Sequence, residues 1–504
     1  MGSQRSMHLL LLLSVFVIAT CGLIYELVAG TLASYLLGDS VTQFSTIIGA
    51  YLFSMGIGAF FSRFFTKNLL SWFIQLEILV GLIGGISACL LFLLFDHVAS
   101  FRIVLYLLVG LTGILVGLEI PLLMNILKNR MEFQDMVSQV FTFDYIGALL
   151  ASIIFPLVLV PQLGLMKTSF FFGILNTAVA LIVLFRFRKE VAWAGYLTVK
   201  AIVVTALLVA GFIFSDRMMD FAEAAAFNEQ IIYSKSSSYQ RVVLTRYKED
   251  IRLYLNGNLQ FSSRDEYRYH EALVHPAMMH HPDPRRVLIL GGGDGLAARE
   301  VLRYPHIDSI TLVDLDPAVT ELFTGNAMLA NMNDSSLHSP RLGVVNTDAF
   351  QWLRDPRQPY DVVIIDFPDP SGYSVGKLYT NTFYHLLQRV LTDESVVVIQ
   401  CTSPFVAPKS FWCIDQTLRH TGFQTLPYHC YVPSFGEWGY IMASPVAPAD
   451  KGNVLPGGLK SFSRESFAQM RHFPPDMQAH DLPVNKLNNQ ALVHLFEKEW
   501  AGWQ

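Results

Sequence analysis

Arg286–Asp316 reads RVLILGGGDGLAAREVLRYPHIDSITLVDLD, and this stretch decides how the second half of the 504-residue chain folds. Four apolar residues, Val287 to Leu290, have the pattern of a buried strand. They run into Gly291-Gly292-Gly293-Asp294-Gly295, after which a helical pattern continues through Glu300 to Tyr304. A second strand, Ser309 to Val313, ends in Asp314-Leu315-Asp316. Strand, glycine turn, helix and strand form a βαβ unit. An acidic residue stands about 20 positions beyond the turn, the spacing that sets a carboxylate on ribose hydroxyls.

Gly291, Gly293 and Gly295 follow a GxGxG form typical of adenosyl-methionine folds, not the dinucleotide GxGxxG. Asp294 inside the turn repels a pyrophosphate, which a helix N-terminus otherwise attracts. A nucleoside carrying a positive sulfonium fits better. Further carboxylates close later strands. Asn346-Thr347-Asp348-Ala349 ends a strand from Leu342, so Asp348 is placed to accept from an adenine amino group. The apolar strand Tyr360–Ile365 leads into Asp366-Phe367-Pro368-Asp369-Pro370, two aspartates in a proline-stiffened loop that make a cation trap. A last strand, Ser395 to Ile399, ends at Gln400. A sulfonium makes the adjacent carbon electrophilic, and an alkyl amine can attack it only after a base takes its proton. A diamine needs a second carboxylate for its distal ammonium. Asp294, Asp366 and Asp369 supply these groups in one cleft.

Before this unit, Ile231–Phe261 is strand-like, and Asn256-Gly257 between apolar runs signals a hairpin. DEYRYHEALVHP, from Asp265, fits a short helix carrying Tyr269, His270 and His275. The histidine spacing does not make a zinc pair, and Cys401, Cys413 and Cys430 lack metal-ligand spacing, so no metal is expected.

The first half is unlike the second. The chain is 52% hydrophobic and 15% charged, with a mean hydropathy of +0.39. The apolar residues concentrate between Met7 and Ser215. Runs near 8–36, 43–65, 72–95, 102–127, 141–160, 168–186 and 193–215 are each long enough to cross a bilayer. Glu26, Glu77, Glu119 and Asp144 sit inside or at the ends of these runs, where ionisable groups suggest either a cation pathway or polyamine-binding cavity, or else hydrogen bonds between helices or a place near an interface. With a net charge of −5, no basic field points to nucleic acid. Basic residues in alternate loops (Arg5, Arg63, Lys67, Lys128, Arg186) place the N-terminus in the cytoplasm. Seven spans then put the second half outside.

The expected architecture is a polytopic α-helical membrane domain over 1–216, with about seven helices. A small β-hairpin domain (228–283) follows, then a Rossmann-like α/β domain of the class I adenosyl-methionine-dependent transferase type (284–446), and a tail over 447–504.

From Ser237 to Ser444 the chain resembles the spermidine synthases, the polyamine aminopropyltransferases. The likeness runs through Tyr239-Gln240, LNGNLQ, DEYRYHE, GGGDG, VDLD, TDA, DFPDP, LYTNTFY and VPSFGEWGY. The first half and the tail FPPDMQAHDLPVNKLNNQALVHLFEKEW resemble the membrane-bound subset with a fused polytopic N-terminus. The resemblance implies decarboxylated S-adenosylmethionine as co-substrate, with no permanently bound cofactor. The acceptor is a diamine such as putrescine, and the products are spermidine and methylthioadenosine. By position, Gln240, Asp314, Asp348 and Ala349 hold the nucleoside, beside Gly291 and Gly293. His270, Asp294 and Asp369 hold the amines, Tyr269 lines the same pocket, and Asp366 is the catalytic proton acceptor. The family also implies a homo-oligomer (dimer or tetramer) and a cell (inner) membrane location, with cytoplasmic donor supply favouring that side for the soluble half.

Two alternative readings are a methyltransferase sharing the nucleoside site and a membrane polyamine carrier or sensor without turnover. Leu296 replaces the last glycine of the usual GGGDGG, and Phe367 and Pro368 replace two small residues between the aspartates. Tyr373 stands in place of a proline, and Phe435 in place of a tyrosine that reaches the acceptor amine. No carboxylate is lost, so these departures bear on acceptor size and identity.

Overall fold

The chain, here as a computed structural model, has two compact units, Met1–Ile231 and Ile232–Gln504. The structure describes all residues except 1, 38–39, 96–100, 129–130, 228, 238, 356 and 504. Residue 228, the expected start of the small β domain, therefore lies outside the described residues.

Unit 1 is helical. Its elements are α1 (Gly2–Leu37), α2 (Ser40–Phe61), α3 (Leu69–Leu94), α4 (Phe101–Leu127), α5 (Phe133–Ile154), α6 (Val160–Arg186) and α7 (Ala194–Phe227). Among the described residues, six helical runs are long and apolar enough to cross a membrane. The expected spans 141–160 and 168–186 are not separate runs: both fall in Phe133–Arg186, a run of 54 residues. A π-helical turn at Phe155–Leu159, containing Pro156, joins α5 to α6, and Gly164 breaks the helix with φ 70° and ψ 177°. The two halves fold back on each other. Thr20 of α1 donates to the Gly147 carbonyl of α5 at 3.3 Å, and its neighbour Cys21 donates to the Phe172 carbonyl of α6 at 3.7 Å. In one straight helix those carbonyls would lie about 37 Å apart.

α7 continues past Asp216 to Phe227. Asp216 pairs with Lys167 of α6 at 2.7 Å, so this charge is matched and does not end the helix. Glycine sets the closest crossing, between α2 and α4. A Cβ on Gly58 would strike the Ile114 carbonyl, and one on Gly117 would strike the Met55 carbonyl. Small residues at such contacts let apolar helices approach where burial alone does not drive them together.

Unit 2 contains two sheets. The first has order β1-β2-β3-β4, with β1 Gln230–Ser236, β2 Arg241–Tyr247, β3 Asp250–Leu255 and β4 Asn258–Ser262. The β3–β4 turn is the expected Asn-Gly hairpin, with φ 51° at Asn256 and 81° at Gly257. The second sheet comprises β5 Arg286–Gly291, β6 Ser309–Asp314, β7 Leu342–Asn346, β8 Tyr360–Asp366, β9 Leu391–Gln400, β10 Gln424–Val432 and β11 Gly436–Ser444. Its order is β10-β11-β9-β8-β5-β6-β7. β5 to β9 are parallel, while β10 and β11 are antiparallel. This is the Rossmann-like sheet.

Alternation along β5 and β8 builds a core on each face. Val287, Ile289, Val362 and Ile364 join one cluster, while Leu288, Leu290, Val363 and Ile365 join the other. Strands on both faces buried in this way read as the continuous apolar runs seen in the sequence. The chain leaves β5 toward β6 and returns to β8 on the other side. The carboxyl ends of β5 and β8 therefore form the topological switch point where ligands of such sheets bind. All five cysteines are free and buried.

The glycine crossing gives the first test. Gly117→Val forces α2 and α4 apart and should lower the thermal midpoint of the detergent-solubilised protein by several degrees, a loss on the order of 1–3 kcal/mol. An unchanged midpoint would show that this contact does not hold unit 1 together.

Candidate active site

The glycine turn is dictated by crowding at the switch point. Gly291 pairs in register with Asp366, and a Cβ on Gly291 would strike the Asp366 carbonyl. Gly291, Gly292 and Gly295 have φ of 84°, 66° and 76°, a region that favours glycine. At Gly293 a Cβ would sit 2.7 Å from the carboxyl carbon of Asp314. Its backbone N–H instead donates to Asp314 at 3.0 Å, and that of Asp316 donates to the other oxygen at 2.9 Å. Burial raises the Asp314 carboxyl to about 6, against the pull of these two N–H groups. Asp294 accepts from the N–H of Leu296 at 2.9 Å, at the start of α9 (Leu296–Leu302).

α8 (Glu266–His280) supplies the other wall. The Tyr269 hydroxyl donates to Oδ1 of Asp366 at 2.5 Å. Oδ2 faces the glycine turn, since a Cβ on Gly292 would lie 3.3 Å from it. The next residue, His270, bonds through Nδ1 to the Glu266 carboxylate at 2.9 Å. Arg299 of α9 grips that carboxylate with two bonds of 2.9 Å, so the histidine is held by a buried ion pair.

Charge in the pocket is strongly perturbed. Burial alone would lower the His270 ring. Its hydrogen bond to Glu266, the Glu266 charge and the Asp294 and Asp366 charges outweigh burial and raise it to about 9. Burial raises Asp366 to about 6; Asp294 adds to the rise, while His270 and the Tyr269 hydroxyl oppose it. Asp369 is raised by burial to about 7, although Thr402 donates to its Oδ2 at 3.3 Å. Its Oδ1 is buried without a partner. Burial likewise raises Asp294, with His270 opposing.

Tyr269, His270, Asp294, Asp366 and Asp369 thus share one electrostatically coupled pocket, and Asp314 adjoins it through Asp294. Gln240 is reached differently. Its amide donates to Asp316 at 3.1 Å, and Ser237 donates to the same oxygen at 2.6 Å. Asp348 is engaged on both oxygens: it accepts from the Phe350 N–H at 2.7 Å, and Lys377 reaches its other oxygen at 2.5 Å. Ala349 is buried at the start of the short helix that Asp348 caps. His275 uses both ring nitrogens, on Tyr304 at 2.9 Å and Glu300 at 3.1 Å, and is structural.

The family model described as spermine/spermidine synthase domain matches residues 266–448. The polyamine aminopropyltransferase of Leptospira interrogans (serogroup Icterohaemorrhagiae serovar copenhageni) is 50% identical, and the alignment covers 98% of this chain and 99% of that protein. Polyamine aminopropyltransferase 2 of Ralstonia nicotianae is 54% identical, covering 98% of each chain. The chain belongs to the polyamine aminopropyltransferase family. Among solved structures, a spermidine synthase in complex with the transition-state analogue AdoDATO is 27% identical with a TM-score of 0.45, covering 49% of this chain and 86% of that one.

As an aminopropyltransferase, the chain accommodates its departures locally. Leu296 is the first residue of α9 and fully buried; the left-handed conformation falls on Gly295, so no glycine is needed after it. Phe367 packs against Tyr379 and Phe383, and the Tyr379 hydroxyl donates to the Pro368 carbonyl at 3.1 Å, fixing the segment between the two aspartates. The Phe435 ring lies 6.0 Å from that of Tyr269 and brings no hydroxyl to the pocket.

The tail braces this site, which the motif reading did not anticipate. Asn485 is fully buried. Its side-chain amide donates to the Gly376 carbonyl at 3.2 Å and the Tyr379 carbonyl at 3.1 Å, and its backbone carbonyl accepts from the Asn381 N–H at 3.0 Å. Asn485→Ala strips the donor from the buried Gly376 and Tyr379 carbonyls, at about 1–3 kcal/mol for each group left unsatisfied. The variant should have a lower thermal midpoint and a raised KM for the acceptor amine. Wild-type values for both would remove the tail from the site.

Proposed function

We propose that unit 2 transfers the aminopropyl group of decarboxylated S-adenosylmethionine to a diamine such as putrescine. The observation that carries this reading is geometric: Asp366, half-buried at the end of β8, pairs in register with Gly291 of the glycine turn and accepts from Tyr269, and Asp369, also half-buried, follows three residues on. Asp314, Asp348, Ala349 and Gln240 hold the nucleoside, and the tight turn at Gly291 and Gly293 lets it approach the strand ends. Asp369 takes the distal ammonium on its free oxygen. Asp366 accepts a proton from the attacking amine through Oδ2, while Tyr269 fixes Oδ1. The amine nitrogen bonds to the propyl carbon, the carbon–sulfur bond breaks, and its electron pair neutralises the sulfonium as methylthioadenosine leaves. His270 balances Asp294 and Asp366 as an imidazolium. Incoming ammonium groups make that charge costly, so the ring releases its proton and contacts the amine as a neutral acceptor.

The two carboxyls must be ionised, so kcat/KM should rise as pH climbs through about 6 and about 7. Asp366→Asn should lower kcat about 10²- to 10⁴-fold and remove the lower of these two steps. Undiminished transfer in that variant would falsify the assignment of the proton acceptor. A wild-type protein that methylates with intact S-adenosylmethionine, and forms no methylthioadenosine from the decarboxylated donor, would instead make it a methyltransferase.

Unit 1 is proposed to anchor the enzyme as a multi-pass protein of the cell membrane, with unit 2 on the cytoplasmic side where its donor is made. Fusion of a reporter after Gln504 should give signal only in the cytoplasm. Signal on the outer face would place catalysis there.

A further inference from the structure

Unit 1 holds a second concentration of acid that the transfer reaction does not use. Glu77 of α3 and Glu119 of α4 are 0% and 1% exposed. The two carboxyls lie within electrostatic range of each other, and among the described residues all four oxygens are buried without a hydrogen-bond partner. One turn beyond Glu77, Gly81 packs on Asn176 of α6, where a Cβ would lie 3.2 Å from that of the asparagine. Both amide atoms of Asn176 are buried without a partner. Further along, the ring tip of Tyr25 from α1 covers Gly84, 2.6 Å from where a Cβ would be. Its hydroxyl is also buried without a partner and lies in electrostatic range of both carboxyls.

Residues 77, 81 and 84 share one face of α3, so the four side chains form a seam about 10 Å long. Unpaired polar atoms are costly among apolar helices, and acids there mark ligand or ion sites by default. The seam is rich in acceptors: four carboxyl oxygens and an amide oxygen face only one amide NH₂ and one hydroxyl. Among the described residues, no Lys, Arg or His pairs with either acid. A hard metal ion gathers six or more oxygens around one point. Here Glu77, and the side chains of Asn176 and Tyr25 that pack on Gly81 and Gly84, succeed one another along one face of α3.

We propose that Glu77 and Glu119, with Asn176 and Tyr25, bind a protonated linear aliphatic amine inside unit 1. The ammonium sits on the acid pair and its chain lies along Asn176 and Tyr25. The choice of spermidine as probe rests on the aminopropyl-transfer reading. Catalysis is assayed separately, so the two claims fail independently.

The test uses the full chain in nanodiscs with radiolabelled spermidine. In an Asp366→Asn/Asp369→Asn background, about one spermidine per chain should be retained. Adding Glu77→Gln and Glu119→Gln should abolish this retention, and Asn176→Leu should weaken it about tenfold. No retention in the first background, equal retention with and without the two glutamines, or displacement by equimolar potassium would each overturn the proposal. Glu77→Gln/Glu119→Gln in an otherwise native chain should keep aminopropyl transfer, which separates lost binding from misfolding. If that variant does not fold, retention in the first background together with Asn176→Leu still decides the matter.

Discussion

The contact between Gly291 and the Asp366 backbone governs the rest of unit 2. Two parallel strands end side by side there, with the chain leaving in opposite directions. Any side chain at 291 would push β5 from β8, and the glycine turn would separate from the Asp366 carboxylate. Because the two strand ends touch, Asp314 and Asp294 can reach one side of the same cleft and Asp366 and Asp369 the other. The apolar layers on both sheet faces make that junction stiff.

A second layer keeps the acids apart in role. Glu266 and Arg299 hold His270 charged beside Asp294 and Asp366, which tempers the repulsion of carboxylates packed in a buried site. Asp316 holds Gln240, Tyr379 holds the segment between Asp366 and Asp369, and Asn485 in turn holds Tyr379. Elements far apart in the chain thus converge on a few oxygens.

Much of this was legible from residue order. Uninterrupted apolar runs marked β5, β8 and β9, because strand period is local. Asn256-Gly257 marked its hairpin for the same reason. What was not legible depends on through-space contacts. Glu266 stands four residues before His270, so a helical pair was available to the reader, but Arg299 meets it only through the packing of α9 on α8. Nothing local reveals that Lys377 lies on Asp348, or that a tail residue would reach Tyr379. In unit 1 a hydropathy profile sees two runs near 141–186, whereas the chain joins them through a π-turn and a bend at Gly164.

The burial of every cysteine has a practical side. Thiol reagents attack exposed thiolates, and burial holds the thiols of Cys401, Cys413 and Cys430 far from ionising. A single cysteine introduced in any surface loop would therefore be the one fast-reacting sulfur. Spin labels, fluorophores or impermeant maleimides could map either unit without first removing the native residues.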